Sequence, residues 1–285
     1  MVLKREEVKN MKKILLSVLT IGMVSAVAFG ATSAYFSDTE TSTGNTFTAG
    51  EIDLKIGNAT WYNGVAQDGG SSDMTWGLMD VISGTTIYYS FDDFKPGDWV
   101  ENTVTLDVDN NDAWACYAIT LTSSAENDVN DAENEAGDDS LNGDFDGELS
   151  YNLNYFFWAD DGDNVYENNE TGKIIAQGVV SVLPIDGSAE VFDLVDASQD
   201  YFGDTYLLAD PVDPYYMGQY WCFGSIAENA VVAGVNTPAG GSGFTCNGNV
   251  PLINRAQGDD VTATLQFYAV QQKNNTSFEC STWIP

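Results

Sequence analysis

Glu101–Ser123 reads ENTVTLDVDNNDAWACYAITLTS, and its reading decides the fold class. Val104, Leu106 and Val108 alternate with polar residues, and Tyr117, Ile119 and Leu121 form a second set of alternating positions. A period of two puts each set on one face of a strand. Asp109–Asp112, DNND, supplies turn residues between them, so the stretch predicts a β-hairpin. Similar patterns recur on both sides. Upstream, Ile52, Leu54 and Ile56 alternate with Asp53 and Lys55, and TTIYYSF (85–91) is rich in β-formers. FKPGDW (94–99) places Pro96-Gly97 at the centre of a type II turn, where glycine supplies the positive φ.

Downstream, GELSYNLNYFFWADD (147–161) carries Leu149, Tyr151, Leu153, Tyr155 and Phe157 in alternation. GKIIAQGVVSVLPI (172–185) and GQYWCFGSIA (218–227) are further strand candidates. In DDVTATLQFYAVQQKNN (259–275), Val261, Ala263, Leu265, Phe267 and Ala269 share a face. Only Ala189–Leu208 has a mixed spacing that admits a short helix. Short strands with turns between them and almost no helix predict an all-β, jelly-roll-like antiparallel sandwich. Long loops interrupt it. The largest, 123–147, is acidic and poor in large apolar residues, so it reads as an exposed insertion that a cation could order.

The N-terminus reads differently. Lys12 and Lys13 precede a 16-residue, mostly apolar run, Ile14–Phe29, and small residues follow as far as Ala34. This is the layout of a secretory signal peptide, with a retained membrane anchor as the alternative. The run is short for a bilayer span, which needs about 20 apolar residues. After Ala34 come Tyr35 and Phe36, then a polar arm containing Thr39, Thr41 and Thr43. The arm has strand composition but no local partner. The chain therefore divides into a leader (1–34), an arm (35–46) and a β-sandwich domain (47–285).

The leader holds five of the ten basic residues and two of the 43 acidic ones. The remaining 251 residues carry 5 basic and 41 acidic side chains, a formal net charge of −36. Such a surface repels nucleic acid and anionic lipid. It suits an exported chain that touches a membrane only through its leader. Cys116, Cys222, Cys246 and Cys280 form an even set without a CxxC spacing, which in an exported chain implies two disulfides. The favoured pairs are Cys222–Cys246, closing a Gly-rich loop, and Cys116–Cys280.

The chain contains no histidine. An HExxH zinc motif, a Ser-His-Asp triad and a Cys-His site are therefore excluded. Acidic pairs are plentiful, but no spacing singles out a catalytic dyad. ADDGDNVYENNE (159–170) has near-EF-hand spacing: Asp161 at loop position three, Asp163 at five, the Val165 carbonyl at seven, Glu167 at nine and Glu170 at twelve. Asn164 stands where glycine is usual, and the first position is Ala159, with Asp160 one residue late. Calcium is the implied cofactor. The acidic stretch Asp138–Glu148 is a second calcium candidate. Tyr155–Trp158 is either a sugar platform or core packing, and core packing is favoured. Sequons stand at Asn58, Asn169, Asn274 and Asn275.

At YFSDTETSTGNTFTAGEIDLKI the chain resembles the TasA/camelysin family, exported fibre proteins of biofilm matrices. The match rests on the aromatic pair and Ser-Asp after the leader, and on Asn45, Phe47, Ala49, Gly50, Ile52, Asp53 and Leu54. The FKPGD turn and the NxVTLDVDNND run are also similar. The resemblance implies a jelly roll and cleavage between Ala34 and Tyr35 by a SipW-type signal peptidase. It also implies extracellular fibres or pili in which each subunit's N-terminal arm completes its neighbour's sheet. The partners would then be copies of the chain itself, held head to tail by β-strand addition. The alternatives are a monomeric or array-forming surface protein or adhesin, and a secreted metallo-endopeptidase, an activity with which the family is also labelled. The lack of histidine weighs against the last, so a non-enzymatic protein is expected.

Overall fold

Trp99–Asp109 and Ala113–Ala125 are both strands, but they do not pair with each other. This corrects the predicted hairpin. The computed structural model describes residues 52–285 apart from 69–73, 83–85, 87, 92, 128, 139–144, 210–212, 236 and 240. The leader, its Ala34–Tyr35 junction and the arm residues Tyr35, Phe36, Thr39, Thr41 and Thr43 lie outside the described residues.

In chain order the strands are β1 (Asp53–Tyr62), β2 (Val65–Ala66), β3 (Trp76–Met79), β4 (Trp99–Asp109) and β5 (Ala113–Ala125). Then come β6 (Leu153–Asp160), β7 (Ile174–Val179), β8 (Glu190–Val195), β9 (Tyr215–Phe223), β10 (Ser225–Glu228), β11 (Phe244–Asn247) and β12 (Asp260–Gln271). Two short helices, α1 (Asp131–Ala136) and α2 (Leu149–Asn152), sit between β5 and β6. A seven-stranded sheet has the order β2-β1-β4-β9-β6-β7, with β3 also paired to β1. A second sheet has the order β12-β5-β8, and β10 pairs with β11. Every paired strand is antiparallel to its neighbour.

Asp109–Asp112 thus carries the chain from one sheet to the other. Alternation reports which face of a strand is apolar, not which strand lies beside it. Val104, Leu106 and Val108 on β4 and Tyr117, Ile119 and Leu121 on β5 belong to the same core cluster, approached from opposite sheets. Asn110 turns the corner with φ 74°, a left-handed conformation that asparagine tolerates.

Both faces of β5 are buried over its first half. Cys116 and Ala118, opposite the core face, are fully covered. The Cys116–Cys280 disulfide, with Cα atoms 5.7 Å apart, ties the C-terminal segment there. Cys222–Cys246 ties β11 to β9 in the same way. Both pairings match the expectation, as does the turn at Pro96-Gly97, where Asp98 N–H donates to the Lys95 carbonyl and Gly97 has φ 92°.

Other expectations are corrected. Leu149–Asn152 is helix rather than strand, and Tyr151 is 64% exposed. No strand is assigned to the described residues of TTIYYSF, where Tyr88 packs as a core aromatic. Glu190–Val195 is strand β8, not helix. A bulge between Thr262 and Ala263 breaks the alternation, and Ala263 faces solvent. Asn58 is 2% exposed, and its amide donates to Thr60 Oγ1 and the Met74 carbonyl, so it cannot carry a glycan. Asn169, Asn274 and Asn275 are exposed.

The outer face of the large sheet is also covered. Phe156, Trp158, Tyr166, Tyr220, Cys222 and Phe244 form a second cluster beneath the β10–β11 hairpin. The run Tyr155–Trp158 is therefore core: even the most exposed of the four is only 5% accessible. Trp158 lies directly over Gly218, where an added Cβ would sit 2.2 Å from the indole ring. Gly218→Ala should therefore destabilise the fold by about 1–3 kcal/mol through forced displacement of Trp158. Chemical denaturation would measure it, and a loss under about 0.5 kcal/mol, the scale of a neutral surface change, would contradict this packing.

Candidate metal centre

β6 ends at Asp160, and the loop that follows returns as β7. Asp160 organises this loop. Its Oδ2 accepts from Gly162 N–H at 3.1 Å, Asn164 N–H at 3.2 Å and the Thr103 hydroxyl at 3.2 Å. Its Oδ1 accepts from Trp158 Nε1 at 3.3 Å. Asp163 Oδ1 accepts from Val165 N–H at 3.0 Å. Asn164 takes φ 61°, the left-handed conformation required where an EF-hand loop carries glycine.

The carboxylates of Asp160, Asp161 and Asp163 each bring an oxygen within 4.8 Å of the others. The structure thus gathers the expected Asp161 and Asp163 around Asp160, the residue that the EF-hand spacing set aside. It does not gather all five expected ligands. Glu167 Oε1 accepts from Gly234 N–H at 2.5 Å, and Glu170 Oε2 accepts from Glu167 N–H at 2.9 Å. Among the described residues, neither joins two other carboxylates within that radius. Val165 is fully buried, and Glu167 and Glu170 are 0% exposed, with Glu167 Oε2 and Glu170 Oε1 lacking hydrogen-bond partners.

Glu101 is the residue that sequence reasoning missed. It shares a face of β4 with Thr103, whose hydroxyl contacts both Asp160 and Asn164 Oδ1. Glu101 is 0% exposed, and neither of its oxygens has a partner in hydrogen-bonding geometry. Burial pushes its carboxyl well above the usual range, and the charges of Asp160 and Asp163 push it further. The adjacent Ser242 hydroxyl offsets only part of this. The face of β4 opposite the core reads as solvent-facing in sequence. A segment more than a hundred residues downstream covers it.

The same physics acts on the loop. Burial raises Asp160 to about 7, and the neighbouring Asp163 adds to it. Burial, with repulsion from Asp161 and Glu167, raises Asp163 to about 6. Burial, with repulsion from Asp160, Asp161 and Glu167, raises Glu170 to about 8. No ion pair reaches these groups among the described residues; the ion pairs there belong to Lys55 and Lys95. The donors are all oxygen, since the chain has no histidine and all four cysteines are in disulfides. That set suits a hard cation such as calcium and not zinc or copper.

Residues 9–63 match a family model described as camelysin metallo-endopeptidase. Over this stretch the chain is similar to the TasA/camelysin family. The match ends at the residue after β1, so it includes neither Glu101 nor the 160–170 loop. No curated protein matches the chain. Among the described residues no helix is long and apolar enough to cross a membrane.

The raised carboxyls give the cation-free protein a definite pH dependence. Unfolded values are 3.8 for aspartate and 4.5 for glutamate, against about 6 to 8 when folded. Between these limits the folded chain holds protons that the unfolded chain has released, so stability falls as pH rises. In chelator, the melting temperature should decline from about pH 5 to about pH 8. Millimolar calcium should flatten that decline. Identical slopes with and without calcium would contradict a cation at this centre.

Proposed function

We propose that the protein is a secreted structural subunit of extracellular fibres or pili of a biofilm matrix. It polymerises head to tail by donor-strand complementation through residues 35–46, and calcium fixes the loop after β6. The observation that carries this reading is the outer edge of β12. Among the described residues this 12-residue strand pairs with β5 alone. A long edge with unpaired backbone groups is a template for another strand. Leu265, Phe267 and Ala269 pack on the core but stay only partly buried, whereas the facing Tyr117 and Ile119 of β5 are fully covered.

The arm matches that edge in length and chemistry. It too has twelve residues, is Thr-rich, and begins with two aromatic anchors. Each subunit offers one arm and one edge, so association is heterologous and does not close. The family match over 9–63 supports a secreted chain. The lack of histidine supports a structural rather than catalytic role.

Deleting residues 35–46 should leave the domain's circular dichroism intact and abolish filaments under the electron microscope. A synthetic peptide of those residues should bind the truncated protein. Tyr35→Asp with Phe36→Asp should also block assembly, because each buried aromatic contributes on the order of 2 kcal/mol. Filaments from the truncated protein would overturn donor-strand assembly and favour contacts between preformed surfaces. Monomers from the intact leader-free chain would favour a monomeric surface protein.

A further inference from the structure

The insertion between β5 and β6 brings a second set of carboxylates together. Glu126 directly follows β5, Glu133 lies in α1, Asp138 just beyond it, Glu148 precedes α2, and Asp259 precedes β12. Oxygens of Glu126, Glu133 and Asp259 lie within 4.8 Å of one another, and so do those of Glu126, Asp138 and Glu148. Glu126 belongs to both sets and is their centre.

Glu126 is 6% exposed and Glu133 is 0% exposed. Neither oxygen of Glu126 meets a donor in hydrogen-bonding geometry, and the side chains that reach it are the carboxyls of Asp259 and Asp138. Glu133 commits Oε2 to the Asn130 N–H at the start of α1, and its Oε1 is buried without a partner. Asp259 commits Oδ2 to Leu149 N–H at 3.0 Å, and its Oδ1 is likewise buried without a partner. Arg255, which docks on α1, donates its Nε to the Ala136 carbonyl at 3.1 Å. Among the described residues no ion pair reaches Glu126, Glu133 or Asp259.

Buried like charges repel and lose hydration, a cost that stands unless something neutralises them. Five carboxylates converging from separate chain segments supply the six to eight oxygens, some bidentate, that calcium takes. We propose that Glu126, Glu133, Asp138, Glu148 and Asp259 bind one calcium ion, which pins the insertion to the adjoining ends of β5 and β12. Those ends are already paired, Ala125 opposite Asp260. Gly147, where the insertion returns, donates its N–H to the Ser124 carbonyl at 2.8 Å. The site is separate from the loop after β6. The eight residues of β6 lie between them, roughly 26 Å at 3.3 Å per residue.

Calcium calorimetry on the purified chain carrying Asp161→Asn and Asp163→Asn isolates this site from the other. That variant should keep one calcium-binding event, and adding Glu126→Gln and Asp259→Asn should abolish it. Hydrogen exchange on the unmutated chain gives a reading that does not depend on how the variants fold. Amides of Asn130–Ala136 and Leu149 should exchange at least tenfold more slowly in calcium than in chelator. Unchanged exchange there, or calcium heat that survives Glu126→Gln with Asp259→Asn, would overturn the proposal.

Discussion

The ionisation of buried carboxylates constrains this fold more tightly than any single packing contact. Glu101, Glu126, Glu133, Glu167 and Glu170 are each at most 6% exposed. Beyond residue 34 the chain has only five basic residues, and the ion pairs of Lys55 and Lys95 lie elsewhere. Among the described residues no basic side chain pairs with these acids. Each must hold a proton, at the expense of stability near neutral pH, or share a cation taken from solution. A chain whose residues 35–285 carry a formal net charge of −36 has no shortage of surface positions for acids. Convergence of so many below the surface is therefore not accounted for by solubility, and a bound cation would offset its cost.

The sheets explain where these acids can meet. Because β4 and β5 face each other across the core, neither closes a hairpin, and each is free to pair on both edges. β9 crosses in to separate β4 from β6, and the hairpin that follows it folds over the outer face. Glu101 is buried by that crossing. Likewise, Glu126 and Asp259 meet because β12 pairs with β5. The aromatic layer of Phe156, Trp158 and Tyr220 excludes water beside Asp160, while Thr103 and two backbone amides hold the carboxylate in place.

Much of the fold was legible in the sequence because alternation records burial. β1, β4, β5, β6 and β12 follow runs recognised by period two, β7 and β9 follow runs read as strand candidates without it, and both disulfides follow the pairing favoured from an even set of four cysteines. Pairing was not legible. The same alternation fits a hairpin and two strands in facing sheets, and DNND serves either connection. Local spacing found Asp161 and Asp163 because their loop is contiguous. It overlooked Asp160 by one position and Glu101 altogether, since the burial of Glu101 depends on residues far downstream. Asn58 shows the converse: a sequon is a local pattern, and tertiary hydrogen bonding removes its meaning.

Native mass spectrometry of the purified chain, sprayed from millimolar calcium, counts bound ions directly. Two compensated carboxylate clusters predict a mass two calcium ions above that of the polypeptide with both disulfides closed. A folded chain at the ion-free mass would contradict the account, because its buried acids would then be held by protons alone.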